Sequence, residues 1–334
     1  MRRILLALLF VLAGSFACFA ENAPTAKPAS APAAHLPRGV AEERDIAYVP
    51  DGDPAQTLDL YLPQPAADHA LPLVVWVHGG GWQAGSKAGC PMVALVPHGY
   101  VLASVEYRFS QKARFPAQIQ DCQAAIRWLR ANREKYHIDA DHVGVAGASA
   151  GGHLVALLGT AGGKHAFPPV GGNENESDRV QAVCDLFGPA DFNTVVAQAE
   201  ADKTKNVFHF NHGDPYSELI GVPLNSDQAK GDAVSPVHYV SKDAPPFLIV
   251  HGTADALVPF AQSTELADAL KKAGVNVILQ PMPGAGHGGP AFNLPAVHQL
   301  IARFFDKQLE GAEVTVEPLP EAAVVAPNAS NRTK

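Results

Sequence analysis

Ser149 stands at the centre of Gly147-Ala148-Ser149-Ala150-Gly151, a G-x-S-x-G arrangement. A serine at the tip of a strained strand-to-helix turn has no room for side chains two residues to either side, and glycines leave that room. The apolar run Val143 to Ala146 precedes the turn, and a helix-forming run from Leu154 to Leu158 follows it. A helix starting near Ala150 would aim its N-terminal amides and positive dipole end at the oxyanion formed when Ser149 attacks a carbonyl. An inert Gly/Ser turn can carry the same five residues, so the context has to decide. A dinucleotide site is the other glycine-rich option, but Gly144, Gly147 and Gly151 do not make G-x-G-x-x-G.

A serine hydroxyl is a poor nucleophile without a base, and the base needs an orienting carboxylate. Two downstream loops supply both in the chain order Ser, Asp, His. Asp255 lies in His251-Gly252-Thr253-Ala254-Asp255, straight after the apolar run Phe247–Val250. His287 lies in Pro283-Gly284-Ala285-Gly286-His287-Gly288-Gly289, straight after Val275–Leu279. Asp185 and Asp191 are rival acids, and His298 is a poorer base because it falls inside a predicted helix. Upstream, His78-Gly79-Gly80-Gly81-Trp82 places three successive glycines where backbone amides could approach a substrate oxygen. Trp82 could stack on a sugar or aromatic ring, or simply pack. The segment that follows is not a phosphate loop, since its order is Gly85-Ser86-Lys87 rather than Gly-Lys-Ser.

Positioning these residues takes alternating strands and helices. Short strands are predicted at Asp45–Val49 and Thr57–Leu62, and continuous apolar runs at Leu73–Val77 and Val101–Val105 suit strands covered on both faces. A helix from about Pro116 to Tyr136 carries Ile119, Cys122, Ile126 and Leu129 at helical spacing. A Gly/Asn-rich loop, 162–178, leads to a strand at Val180–Cys184. Residues 188–242 break the rhythm and read as a small lid or a surface insertion. Helices at Ser263–Ala273 and Asn293–Gln308 bracket the last strand. The pattern implies an α/β class with a mostly parallel sheet flanked by helices on both faces.

At 334 residues, 47% hydrophobic and 17% charged, the chain has a globular composition and can bury a large core. A formal net charge of −8 without a basic cluster excludes a nucleic-acid partner. Residues 1–20 read as an export signal, with Arg2-Arg3 and then the apolar Ile4 to Ala13, too short for a stable membrane span. The expected location is periplasmic or extracellular, a lipid anchor on Cys18 being the alternative. A Pro/Ala-rich linker (21–40), a catalytic domain (41–310) and a disordered tail (311–334) complete the expected organisation. Without the signal, Cys90, Cys122 and Cys184 remain, allowing at most one disulfide. No metal-ligand spacing is visible, so neither metal nor cofactor is expected.

These motifs together resemble an α/β-hydrolase of the carboxylesterase type related to hormone-sensitive lipase. The likeness is greatest to the branch of bacterial acetyl-xylan and feruloyl esterases. It rests on His78–Trp82, Val105-Glu106-Tyr107-Arg108 with Phe115-Pro116-Ala117, Gly147–Gly152, Ser235-Pro236 with Tyr239-Val240-Ser241, and the loops of Asp255 and His287. The resemblance implies Ser149 as nucleophile, His287 as base and Asp255 as orienting acid, with the amides of Gly80, Gly81 and Ala150 as oxyanion hole. It also implies a secreted serine esterase for short-chain esters, with a small ester or acylated saccharide as substrate. The alternatives are an arylformamidase-like amidohydrolase and a non-catalytic binding protein on a hydrolase fold. The large N-terminal helical cap of the lipase relatives is absent from the pattern.

Overall fold

Side chains along the central apolar runs point alternately to two cores, which is why those runs are apolar at every position. Leu73, Val75 and Val77 enter one core while Val74 and Trp76 enter the other. The computed structural model describes residues 36–164, 166–202 and 213–324. The predicted signal, Cys18 and the linker up to residue 35 lie outside the described residues.

The strands are β1 (Val40–Ala47), β2 (Thr57–Pro63), β3 (Leu71–Val77), β4 (Val101–Val105), β5 (Ile138–Ala148), β6 (Ala182–Leu186), β7 (Phe247–Gly252) and β8 (Val277–Met282). They form one sheet in the order β1-β2-β4-β3-β5-β6-β7-β8. β2 runs antiparallel to β1 and β4. Every other neighbouring pair is parallel. The helices are α1 (Ala117–Ala131), α2 (Arg133–Tyr136), α3 (Ala150–Ala161), α4 (Val195–Ala201), α5 (Pro215–Ile220), α6 (Gln228–Val234), α7 (Phe260–Lys272), α8 (Pro295–Leu309) and α9 (Glu321–Val324). Residues of α1, α3 and α7 fill one core, and those of α8 and the 3-10 turn Pro91–His98 fill the other.

Several boundaries differ from the sequence pattern for local reasons. β1 begins at Val40 rather than Asp45, because a register shift between Glu43 and Ile46 interrupts the alternation. Asp45 sits in that irregularity at φ 55°, its N–H donating to Asp59 Oδ1 at 2.9 Å. The predicted helix 116–136 is split at Asn132, whose side-chain amide donates to Trp128 O at 2.8 Å. β6 lies two residues later than expected, which puts Asp185 inside a strand. The tail expected to be disordered is docked as far as residue 324. Leu319 N–H donates to Gln280 Oε1, and Val324 is 1% exposed in the α8-side core. Residues 325–334 lie outside the described residues. Cys90, Cys122 and Cys184 are buried free thiols, so no disulfide forms among the described residues.

Candidate active site

β5 ends at Ala148, α3 begins at Ala150, and Ser149 turns the chain between them at φ 57°, ψ −119°. A non-glycine residue held in such a region costs about 1–3 kcal/mol. The turn is pinned by Ser149 N–H donating to Leu186 O at 2.8 Å and by Ser149 O accepting His153 N–H at 3.0 Å. Its glycines are demanded by contact: a Cβ on Gly147 would lie 2.4 Å from Gly151 O, and one on Gly151 2.0 Å from Val77 O. Every residue of α3 is buried, which keeps its dipole in a low-dielectric surrounding.

His287, from the loop after β8, and Asp255, from the loop after β7, meet at this turn. His287 Nε2 lies 2.8 Å from Ser149 Oγ, and His287 Nδ1 lies 2.7 Å from Asp255 Oδ2. A ring that donates Nδ1–H to the carboxylate presents the Nε2 lone pair to the serine hydroxyl, as a general base requires. Asp255 is 1% exposed, and its Oδ1 accepts the N–H groups of Leu257 and Val258 at 2.8 and 2.9 Å. Burial by itself would raise the carboxyl. Hydrogen bonds from His251 and His287 outweigh it and hold Asp255 far below the usual carboxylate range.

The rival residues are placed elsewhere. Asp185 accepts Gly188 N–H at 2.9 Å on Oδ1, while Oδ2 is buried without a hydrogen-bond partner. Asp191 accepts Asn193 N–H and lies 3.6 Å from His238 Nε2. His298 is exposed on α8, lining a separate groove with His98.

Gly80 and Gly81, at φ 119° and 60°, line a cavity of about 460 Å³ together with Ser149, Ala150 and His287. A Cβ on Gly80 would sit 2.1 Å from Ala84 O, so the tight turn requires glycine there. Phe187, Pro189, Leu257, Val258, Pro215 and Tyr216 are among the residues of its largely apolar wall. Segment 188–242 therefore contributes Pro189, Pro215 and Tyr216 to the site; its residues 203–212 lie outside the described residues. Trp82 also lines this cavity, and its surroundings favour the packing role of the two expected for it. It is 2% exposed and packed among His153, Phe192 and Tyr216, with Nε1–H donating to His153 Nδ1 at 3.2 Å. These contacts hold Trp82 in the cavity wall, where it anchors the glycine loop.

Three histidines with no assigned role in the sequence pattern support this site. His78 Nε2 lies 2.8 Å from Glu106 Oε1 and the ring stacks on Tyr107 with centroids 4.5 Å apart, which braces the glycine loop. His153, fully buried on α3, donates Nε2–H to Val234 O at 2.7 Å, and burial pushes it down to about 4. His251, at the end of β7, lies 3.1 Å from Asp255 Oδ2 through Nε2. Only its position four residues before a loop aspartate could have marked it.

The BD-FAE family profile matches residues 58–270, well over half of the chain. The chain belongs to the BD-FAE family. A TAP-like protein profile also matches residues 226–316. Esterase LipC of Mycobacterium tuberculosis is 32% identical over 71% of this chain and 57% of its own length. Esterase LipQ of the same organism is 32% identical over 78% and 61%. The chain thus spans about three-fifths of the length of these two relatives. Among solved structures, a truncated carbohydrate esterase from gut microbiota is 30% identical with a TM-score of 0.73, covering 81% of this chain and 96% of that one. An acetyl ester-xyloside bifunctional hydrolase from Caldicellulosiruptor lactoaceticus is 27% identical with a TM-score of 0.62, covering 82% and 97%. The fold is that of an α/β-hydrolase.

Among the described residues no cluster of three or more His, Cys, Asp or Glu could hold a metal ion. No helix among them is long and apolar enough to cross a membrane.

Proposed function

We propose that this chain is a serine carboxylic ester hydrolase working through an acyl-enzyme on Ser149. The observation that carries the reading is the continuous chain from Asp255 through His287 to Ser149, at 2.7 and 2.8 Å, opening on one cavity. Ser149 Oγ attacks the ester carbonyl while His287 Nε2 takes its proton. The oxyanion is met by the amides of Gly80, Gly81 and Ala150, the last at the N-terminus of α3. As the tetrahedral intermediate collapses, His287 returns the proton to the departing alcohol. Water then repeats the cycle on the acyl-enzyme and releases the acid. Asp255 stays ionised throughout and orients the imidazole.

The preferred substrates are acetyl and similarly short esters, including acetyl or feruloyl groups on plant polysaccharides, over chains beyond about eight carbons. The cavity size, the absence of a large cap among the described residues and the names of the carbohydrate-esterase neighbours support this. Arg2-Arg3 and the apolar segment after them support export to the periplasm or beyond.

The test labels the protein with a fluorophosphonate and compares turnover on acyl esters of increasing length and on acetylated xylan. Labelling at Ser149 alone, lost in Ser149→Ala together with turnover, is expected. Labelling elsewhere, or full turnover in that variant, overturns the nucleophile. Preference for long-chain triglycerides, or no acetate from any acylated sugar, overturns the substrate class.

A further inference from the structure

His251 is fully buried and meets three polar groups. Its Nε2 lies 3.1 Å from Asp255 Oδ2 and 3.0 Å from Val258 O, and its Nδ1 lies 2.6 Å from the hydroxyl of Ser263 on α7. A carboxylate and a carbonyl only accept, so the proton belongs on Nε2, and Nδ1 then accepts the Ser263 hydroxyl proton. One neutral tautomer satisfies all three partners. The rings of Phe187 and Phe260, with centroids 6.5 and 5.6 Å away, pack against the imidazole. Asp185, in β6, is coupled to it through space.

The same N–H ties Val258 O to Asp255 Oδ2, so it closes the turn whose amides hold Oδ1. Oδ2 is shared between two imidazoles, and Oδ1 between two amides. We propose, resting on the triad reading above, that His251 is a positioning residue: it locks the Asp255 carboxylate in orientation and draws part of its charge away from His287. A buried histidine that merely fills space would have no need of that contact.

The consequence has a sign. With the His251 donor gone, Oδ2 loses one of its two imidazole donors, becomes the stronger acceptor toward His287 and favours the imidazolium. The acid limb of the kcat/KM profile then moves to higher pH. Two variants separate this from packing. In His251→Asn the short amide can still reach Ser263 but not Asp255. In His251→Gln the longer amide brings N–H groups to the place of Nε2. The asparagine variant should lose about 10- to 100-fold in plateau kcat/KM and move its acid limb up by about half to one pH unit. The glutamine variant should keep the wild-type limb.

Equal limbs in the two variants, whether moved together or unmoved, overturn the proposal. Should the asparagine variant not fold, ¹⁵N-resolved histidine NMR of the wild-type protein decides. A His251 protonated on Nε2 is required, and a proton on Nδ1 alone overturns the proposal. Fluorophosphonate labelling of wild-type Ser149 is read first, so a failed triad is distinguished from a failed role for His251.

Discussion

Two aspartates lie buried on neighbouring segments at the same end of the sheet, Asp185 in β6 and Asp255 just after β7. Their exposures, 0% and 1%, are the same for any physical purpose, yet their affinities for a proton diverge. Asp185 has one backbone donor and an orphan oxygen, and burial pushes it up to about 6. Asp255 has two amides and two imidazoles, which hold it far below the usual range. Burial penalises both anions alike, and the number of N–H donors aimed at the oxygens decides how low in pH each survives as a carboxylate. A triad acid must stay charged without water; Asp255 is held as a carboxylate throughout, whereas Asp185 takes up a proton already at mildly acidic pH.

The sharpest way to break this comparison is to remove each charge while keeping the shape. Asp255→Asn should lower kcat by about 10⁴-fold, as in the serine-protease precedent, because the amide favours the wrong imidazole tautomer. Asp185→Asn should stay within a few-fold of the parent. Steady-state kinetics on a short aryl ester measures both. If Asp185→Asn is the crippling change, the working acid lies on β6.

Stability against pH sharpens it next. Asp185 is raised from 3.8 to about 6, so the folded state holds its proton longer than the unfolded one. Its contribution favours folding below about pH 4 and is lost as pH rises through 6. Asp185→Asn should therefore be more stable than the parent at pH 7 to 8, by on the order of 2 kcal/mol. At pH 4 the advantage should vanish. Thermal melting at the two pH values measures this, and equal gains at both would show that the orphan oxygen, not the charge, is what costs stability.

A smaller effect follows in the same series. His153 is lowered from 6.5 to about 4, so its contribution to stability is present above 6.5 and lost as pH falls toward 4. Between pH 4 and 6 the two buried groups oppose each other. Asp185→Asn should expose the His153 slope, giving a melting temperature that falls on acidification more steeply than the parent's. Parallel slopes would remove Asp185 from the account.

The least change is expected from chelator and reductant. Activity should survive a strong chelator, since neither aspartate belongs to a metal-binding cluster among the described residues. It should also survive mild reduction, since Cys90, Cys122 and Cys184 are free thiols. Loss with chelator and recovery with zinc or calcium would show a metal site that the described residues do not reveal.

Much of the site was legible because its pieces are local. Gly147, Ser149 and Gly151 announce a turn that only those residues can fill, and the runs before Asp255 and His287 announce the strands that carry them. Trp82 was not legible, because a tryptophan beside a glycine loop looks the same in sequence whether its ring is enclosed or exposed. Asp185 was left as a rival because nothing in Val180–Cys184 reveals a strand boundary two residues later.

The sequence by itself determined the steric requirements: where glycine must stand, which runs are covered on both faces, and the chain order of nucleophile, acid and base. Those depend on neighbours within a few residues. Only the tertiary structure decided which carboxylate stays charged, which histidines brace the site and which aromatic ring is sealed away. Each of those involves partners that the fold, not the local chain, brings into place, some of them far apart: 138 residues separate His287 from Ser149, and 32 separate it from Asp255. Hydrogen bonds and burial act through space, and the charge of a buried group is set by whatever the fold brings against it.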